Sequence, residues 1–179
     1  PGFRVFDSNF SMEAKDSKGK PFDSLQISSS GWGSDPTGFL RVNIDKVGAY
    51  RFDAKVRQVK TLNQMSNLIL GYKRTNTTRD FGDFDLTVLP QNENLRFRVG
   101  ASFNRYDGDL GFTVRTRDVF PITEKISSTA IDLRGGVDTK VLGFNLSFTG
   151  GVRRFDDLSK YVVESRNVGF AGTFVAADV

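Results

Sequence analysis

Apolar and polar residues alternate with a period of two along most of this chain, and this pattern limits what the chain can fold into. In residues 95–103 the apolar side chains are Leu95, Phe97, Val99, Ala101 and Phe103, with a polar residue or a glycine between successive members. A period of two indicates a β-strand with one apolar face, because successive side chains point to opposite sides of a sheet. The same alternation predicts five further strands, near residues 40–45, 50–57, 83–88, 131–138 and 142–153.

Weaker patterns extend this prediction over the rest of the chain. Residues 22–30 and 167–176 also favour strands, whereas 67–74 and 110–115 fit either short strands or strand-like parts of loops. We expect residues 1–20 to be irregular. We therefore predict an all-β fold of about eight antiparallel strands, or about ten if both ambiguous segments are strands, in a single β domain over residues 1–179.

Short turns and long polar connections alternate between the predicted strands. Outer-membrane β-barrels show such an asymmetry, with short periplasmic turns at one end and longer external loops at the other. We therefore expect the long segments to face outward. The Asp-Gly-Asp sequence at 107–109 is a further hairpin signal. Short turns are predicted at 46–48, 90–93 and 139–140, long polar connections at 61–79 and 106–125, and a shorter polar one near 156–160.

The short turns also predict which residues face each other, since both strands of a hairpin must keep their apolar residues on one side of the sheet. The three turns then place opposite charges across two of the hairpins, and we expect both ion pairs on the inner side of a barrel. The predicted pairs are, hairpin by hairpin, Ile44–Tyr50 with Arg41–Asp53, then Leu86–Phe97 with Asp85–Arg98, then Val137–Leu142 with Leu133–Leu146.

Composition excludes several classes of site. The chain contains no cysteine and no histidine, which removes disulfides, thiolate nucleophiles, imidazole bases and the usual zinc ligands. Its apolar runs are far shorter than the roughly 20 residues of a transmembrane helix. The formal charge of +4 raises the question of nucleic acid. However, the basic residues are interleaved with acids, as Arg51 and Lys55 are with Asp53, so we expect no nucleic-acid partner.

Two pairs of acidic residues are the remaining candidates for chemistry. Asp83 and Asp85 share one face of a predicted strand, as the two carboxylates of a glycosidase would, but the basic residues of the next strand favour ion pairs instead. Asp156 and Asp157 would suit a calcium-binding loop, and a solvated loop is the commoner explanation. We therefore expect no enzymatic activity, no metal and no cofactor.

The alternation fits two kinds of protein. One is a soluble β-sandwich whose polar face meets water, and the other is a transmembrane barrel whose apolar face meets lipid. Two details favour the barrel. The polar positions mix small residues with charges of both signs, and the apolar stretches, at about 3.3 Å per residue and a tilt near 40°, span roughly the 25 Å of an outer-membrane apolar band. Aromatic residues near predicted strand ends would form interfacial girdles, namely Tyr50, Phe103, Tyr106, Phe155 and Tyr161.

The barrel interpretation assigns each strand position to the lumen or to the lipid. The charged residues expected to face the lumen are Arg41, Arg51, Asp53, Lys55, Asp83, Asp85, Arg96, Arg98, Asp132, Arg134 and Arg153. The apolar residues expected to face lipid are Phe52, Leu86, Phe97, Val99, Leu133, Phe144, Leu146 and Phe148.

One stretch of the chain resembles a known family. Residues 79–87, with the sequence RDFGDFDLT, are followed by a turn at Pro90 and by residues 96–105, with the sequence RFRVGASFNR. This strand–turn–strand segment resembles the porin–cytochrome type of bacterial outer-membrane barrel, which sheathes multihaem cytochromes, and the likeness covers about residues 63–156. The resemblance implies a longer protein of which this chain is a portion, with a multihaem cytochrome or another barrel subunit as partner.

These patterns together predict a bacterial outer-membrane barrel, or a contiguous wall segment of a larger one, in contact with outer-membrane lipid. Its function would be that of a passive pore or of a scaffold around an electron-transfer partner. That partner would carry the redox centres, because this chain has no histidine or cysteine to ligate haem. The alternative is a soluble or surface-attached β-sandwich that binds glycans or assembles with copies of itself.

Overall fold

The computed structural model describes residues 4–15, 18–33, 35–68, 71–115 and 119–162, and all of its regular structure is β. Eight strands form one sheet in which each strand pairs with its neighbours in the sequence, in the order β1 to β8. The predicted all-β, antiparallel, up-and-down fold is confirmed. No helix in the described residues is long and apolar enough to cross a membrane. The strands are Arg4–Glu13 (β1), Ser24–Gly33 (β2), Thr37–Lys46 (β3), Tyr50–Leu68 (β4), Gly71–Val88 (β5), Leu95–Arg115 (β6), Val119–Val141 (β7) and Phe144–Val162 (β8).

The chain divides into two compact units, and each of the strands β4 to β8 contributes residues to both. The first unit comprises Pro1–Val59, Asp80–Asn104 and Ala130–Phe155, and the second comprises Lys60–Arg79, Arg105–Thr129 and Asp156–Val179. The short turns and all of the charged residues assigned to a lumen belong to the first unit.

Strands β1 to β4 of the first unit show how the alternation becomes two faces. Phe10 pairs with Ile27, Ile27 with Val42, and Val42 with Ala54, so one face carries a row of apolar side chains across four strands. The neighbouring row, on the other face, consists of Ser11, Gln26, Asn43 and Asp53. We call these the apolar face and the charged face of the first unit.

The N-terminal strand corrects one prediction. Residues 4–13 pair with β2 over their whole length instead of being irregular. Phe6, Phe10 and Met12 alternate there with Asp7, Asn9 and Ser11, and Ser8 interrupts the apolar phase. The hydrogen bonds to β2 therefore define a strand whose alternation is short and interrupted.

The register of the first hairpin differs from the prediction by two residues. Ile44 pairs with Phe52 instead of Tyr50, and Tyr50 pairs with Lys46. The turn therefore occupies residues 47–49, where the amide of Ala49 donates to the carbonyl of Lys46 at 2.9 Å and Gly48 has a φ of 72°. A shift of two residues leaves every side chain on its predicted face, which is why alternation could not exclude it.

The turn between β5 and β6 is longer than predicted, since β5 ends at Val88 and β6 begins at Leu95. The amide of Asn92 donates to the carbonyl of Leu89 at 3.0 Å. Oδ1 of Asn92 in turn accepts hydrogen bonds from the backbone amides of Asn94, at 2.8 Å, and Leu95, at 3.1 Å. These bonds satisfy turn amides that the strands cannot reach, so Asn92 organises the loop.

The turn between β7 and β8 lies at Leu142–Gly143 instead of Thr139–Lys140. Both turn residues have positive φ, 51° and 84°, which is the geometry of a type I′ hairpin. Strand β7 therefore continues to Val141, and Leu142 leaves the apolar face for an exposed turn. The predicted pairs of Val137 with Leu142 and Leu133 with Leu146 are wrong for this reason.

The long polar segments predicted as loops are strands. Residues 61–68 belong to β4 and residues 71–79 to β5, while 106–115 belong to β6 and 119–125 to β7. Residues 156–160 likewise continue β8. In β6 the apolar phase reverses after Phe103, because Tyr106, Leu110 and Phe112 occupy the opposite phase. A strand that continues through this point therefore shows no single continuous period of two. The predicted strand at 167–176 lies outside the described residues.

The second unit has its own contacts. Gly108 lies within β6 at a φ of 153°, where a Cβ would collide with the backbone of Asn76 and Thr77 on β5. It marks a close approach of two strands and not the predicted hairpin turn. The ring of Tyr161 packs edge-to-face on Phe112, with centroids 6.1 Å apart. The hydroxyl of Tyr161 donates to Glu124, and this hydrogen bond raises the pKa of the tyrosine above its ordinary value.

Candidate functional site

The charged face of the first unit is a network of ion pairs. On β3 and β4, a guanidinium nitrogen of Arg41 and the ammonium of Lys55 each lie 3.1 Å from the carboxylate of Asp53. The next pair along the hairpin joins Arg51 to Asp45 at 2.8 Å. Arg41 faces Lys55 directly and reaches Asp53 on the diagonal. The Arg41–Asp53 contact predicted from the sequence therefore forms, although through a different register.

A second cluster joins β5 to β7 across β6. Nη2 of Arg134 lies 2.7 Å from Oδ1 of Asp83 and 2.8 Å from Oδ1 of Asp85. The side chain crosses β6 at Gly100, which is buried and has no side chain to obstruct it. Asp85 therefore binds Arg134 and not Arg98, contrary to the predicted pair.

A third cluster surrounds Asp138 near the hairpin turns. Nε of Arg96 lies 3.1 Å from one carboxylate oxygen, and Nη2 of Arg98 lies 2.7 Å from the other. The hydroxyl of Ser147 on β8 donates to the same carboxylate at 2.7 Å. Two guanidinium groups thus share one aspartate.

The last cluster links β7 to the final strand. Nη2 of Arg153 donates to Asp132 at 2.7 Å, and Nε of Arg153 lies 2.5 Å from the other carboxylate oxygen. The hydroxyl of Ser102 on β6 is 3.5 Å from Asp132. The two-pronged contact of Arg153 with Asp132 is the geometry in which arginine binds carboxylates best.

All eleven charged residues assigned to a lumen lie in these clusters, and each has an ion-pair partner. Asp45 and Asp138 complete the network and were absent from the predicted set, although both alternate in phase with its members. The side chains are between 20% and 71% exposed, so each pair contributes little to stability by itself. Their common effect is to keep many charges on one side of the sheet close to electrical balance.

The apolar face has almost no core beneath it. Ala54 is the single buried hydrophobic residue in the described part of the chain, and no large side chain there is fully buried. Among the eight residues assigned to lipid, Phe52 and Leu86 are half-buried. The other six are exposed, up to 76% for Phe148. Exposed residues of this kind in the parts of β6 to β8 within residues 95–152 are Phe97, Val99, Ile131, Leu133, Val141, Phe144, Leu146, Phe148 and Val152.

In β6 and β8 the apolar face is confined to one stretch of the strand. In β6 it runs over nine residues, from Leu95 to Phe103, and the next positions in phase are Arg105 and Asp107. In β8 it runs from Phe144 to Val152, and the next positions in phase are Arg154 and Asp156. The strands themselves continue beyond these limits. The apolar stretch is therefore a band of defined width and not a property of whole strands.

A shallow depression of about 550 Å³ interrupts the apolar face. Its floor includes Gly135 and Gly150, which place no side chain there, and its walls include Phe52, Leu86 and Leu133. The depression shows that this face is not flat, and an apolar group from outside could occupy it.

The aromatic residues predicted as girdles have different environments. The hydroxyl of Tyr50 donates to the carbonyl of Pro21 at 2.6 Å. Phe103 stacks on Phe84 with centroids 6.2 Å apart, and its ring occupies the space beside Gly82. Phe155 and Tyr161 are about 60% exposed, whereas Tyr106 is half-buried.

Asp156 and Asp157 occupy successive positions in β8 instead of a loop. Their side chains therefore point to opposite faces of the sheet, and they cannot hold one ion together. No group of three or more acidic residues suited to a metal ion occurs in the part of the chain that the structure describes.

Comparisons with known proteins do not identify the chain. No family model, no curated protein and no solved structure matches it.

Proposed function

We propose that this chain is a wall portion of a transmembrane β-barrel in the bacterial outer membrane. The observation that carries the proposal is the exposed apolar band, which lies opposite an ion-paired face on the same strands. A sheet in water would expose its polar face and bury its apolar one. An exposed apolar face opposite a hydrated, charged face is what lipid on one side and water on the other would require.

The width of the band supports the same assignment. Nine residues at a rise of about 3.3 Å, tilted by about 40°, cross about 23 Å, close to the roughly 25 Å apolar band of outer-membrane barrels. Transmembrane strands need about 9 to 11 residues for this. Beyond the band, the positions in phase with it in β6 and β8 become charged, at Arg105, Asp107, Arg154 and Asp156, as in strands that continue into water.

The ion-paired face fits a water-filled lumen. Charges of both signs, paired but partly exposed, need water nearby, because a fully buried pair loses more hydration than its attraction returns. A wall of this kind is passive, and it serves a pore or a scaffold around another protein.

The scaffold version of the proposal rests on the resemblance to porin–cytochrome barrels. A barrel that sheathes a cytochrome needs a hydrated and nearly neutral inner wall, which the clusters around Asp53, Asp85 and Asp138 would provide. The haem ligands would belong to the partner, since this chain contains no histidine or cysteine.

A larger barrel would also explain the ends of the sheet. In the described residues, β1 and β8 are the outermost strands, and every residue of β8 up to Tyr161 is exposed. A long apolar edge strand of this kind is a site for pairing with another strand. Further wall strands would cover it in a contiguous barrel.

A second candidate rests on the depression around Gly135 and Gly150. A concave apolar surface of about 550 Å³ could receive the side chains of a second sheet. The chain would then be one layer of a β-sandwich that assembles with copies of itself, and its ion-paired face would be the outer, solvated one.

Detergent dependence distinguishes the two candidates. A barrel wall stays monodisperse in gel filtration only in detergent micelles or lipid, whereas a self-assembled sandwich has a fixed size in buffer alone. The double variant Leu146→Ser/Phe148→Ser should reduce flotation with lipid vesicles severalfold. The matched variant Ser147→Ala/Thr149→Ala, on the opposite face of the same strand, should float like the wild type. A discrete, soluble oligomer without detergent would contradict the proposal.

A further inference from the structure

Arg57 has an environment unlike that of the other arginines on the charged face. It faces Phe39 across the β3–β4 pair, and Phe81 lies in phase with Asp83 on β5. The guanidinium carbon of Arg57 is 5.8 Å from the ring centroid of Phe39 and 5.7 Å from that of Phe81. Two aromatic rings therefore hold one cation on a face that is otherwise polar.

Arg57 has no carboxylate partner among the described residues. The other arginines with the same phase in the first unit all bind an aspartate: Arg41, Arg51, Arg96, Arg98, Arg134 and Arg153. The rings of Phe39 and Phe81 attract the cation without neutralising its charge or using its N–H donors. Arg57 therefore presents a charged fork of hydrogen-bond donors that the described residues leave unoccupied.

A small cavity of about 210 Å³ opens beside this arginine, lined by Phe39, Lys55, Arg57, Phe81, Gly82 and Asp83. The charges of Lys55 and Asp83 are already engaged by Asp53 and Arg134. Gly82 adds no side chain, so the walls are mainly the two phenylalanine rings. The cavity thus combines an apolar lining with one uncompensated positive charge.

We propose that this cavity binds a small organic anion whose carboxylate pairs with Arg57 and whose ring packs against Phe39 and Phe81. Arginine binds a carboxylate through two parallel hydrogen bonds, and a flanking aromatic ring prefers an offset or edge contact with another ring. The volume is below the roughly 300 to 1,000 Å³ of drug-sized sites, so a one-ring acid is the appropriate class. This site does not require that the charged face line a pore.

The chain contains a reporter for this site. Trp32 is its single tryptophan, and Nε1 of Trp32 donates to the carbonyl of Phe39 at 2.9 Å. A ligand that packs on Phe39 should therefore change the fluorescence of Trp32. Benzoate is the probe, added to the purified full chain, and calorimetry provides a second measure of binding.

Three comparisons test the chemistry. Benzoate should bind at least several times more tightly than acetate, which lacks the ring, and than benzyl alcohol, which lacks the charge. Arg57→Gln should weaken benzoate binding by roughly tenfold or more, because it removes a charge-assisted contact. The matched variant Arg51→Gln removes a charge from the same strand face and should leave benzoate binding within about twofold of the wild type.

Arg57→Lys keeps the positive charge, and it is the test variant if Arg57→Gln perturbs folding. We expect Arg57→Lys to weaken benzoate binding severalfold, since lysine has no planar fork. Equal losses in Arg51→Gln and Arg57→Gln would show attraction by general charge only and would overturn the proposal. Saturable binding of benzyl alcohol as tight as that of benzoate, or no response of Trp32 and no heat, would overturn it as well.

Discussion

The side chain of Arg134 lies in the space that a Cβ atom on Gly100 would occupy. This relationship lets a residue of β7 pass over β6 and bind two aspartates of β5 at 2.7 and 2.8 Å. Strands that are not hydrogen-bonded to each other are thereby joined on the charged face. Gly100 leaves space for the side chain of Arg134, and this space, not the backbone freedom of glycine, is what the contact needs.

Substituting this glycine should break the connection. In Gly100→Ala the new methyl group displaces Arg134, and overpacking of this kind costs about 1 to 3 kcal/mol. We expect the free energy of unfolding to fall by that amount in a denaturant titration. Gly135→Ala is the matched control, because a Cβ at Gly135 would meet nothing within 4 Å. Equal stability of the two variants would show that Arg134 adjusts without loss.

The β7–β8 turn offers a stabilising substitution. Leu142 has a φ of 51°, a conformation that costs about 1 to 2 kcal/mol for most L-residues and less for asparagine. Leu142→Asn creates the Asn-Gly pair that type I′ turns prefer. We expect the free energy of unfolding to rise by about 0.5 to 1 kcal/mol in a denaturant titration. If the turn were at Thr139–Lys140, the same change would instead place a polar residue on the apolar face and destabilise the sheet.

Asp23 should make one turn sensitive to acid. The ammonium of Lys46 donates to its carboxylate at 2.9 Å and the amide of Val47 at 2.8 Å. These bonds, led by that of Lys46, hold the pKa of Asp23 below its ordinary value. Since the folded pKa is the lower one, the stabilisation is complete above the ordinary aspartate value of about 3.9 and is lost as the pH falls through the folded value.

Amide exchange provides the measurement for this turn. The protection factor of the Val47 amide should fall in acid and should be low at every pH in Asp23→Ala, which has no acceptor at this position. The amide of Leu89, which donates to the carbonyl of Ala49 at 2.8 Å, serves as the internal reference. A protection factor for Val47 that is independent of pH in the wild type would refute this role of Asp23.

Alternation predicted the faces of the sheet correctly, but it could not determine the register. The first hairpin is shifted by two residues, and an even shift keeps every side chain on its face. Sequence patterns do not reveal the β7–β8 turn, because leucine is unusual in a left-handed turn position and Leu142 fits the alternation of a strand. Turn chemistry was thus the weaker of the two signals.

Two other features were beyond sequence reasoning for different reasons. In the outer part of β6 the apolar residues change phase after Phe103, so a continuous period of two does not extend over the whole strand. The contact of Arg134 with Asp85 skips a strand, and it depends on the absence of a side chain at Gly100. Patterns within one hairpin contain no information about such a contact.

The central claim is that the apolar band contacts lipid while the opposite face contacts water. Nitroxide labels placed singly at Leu133, Leu146, Ser147 and Thr149, in chain reconstituted into lipid vesicles, test it most directly. We expect frequent collisions with oxygen and few with a water-soluble nickel chelate at Leu133 and Leu146, and the reverse at Ser147 and Thr149. Few collisions with either reagent at Leu133 and Leu146 would indicate a dry protein core and contradict the account.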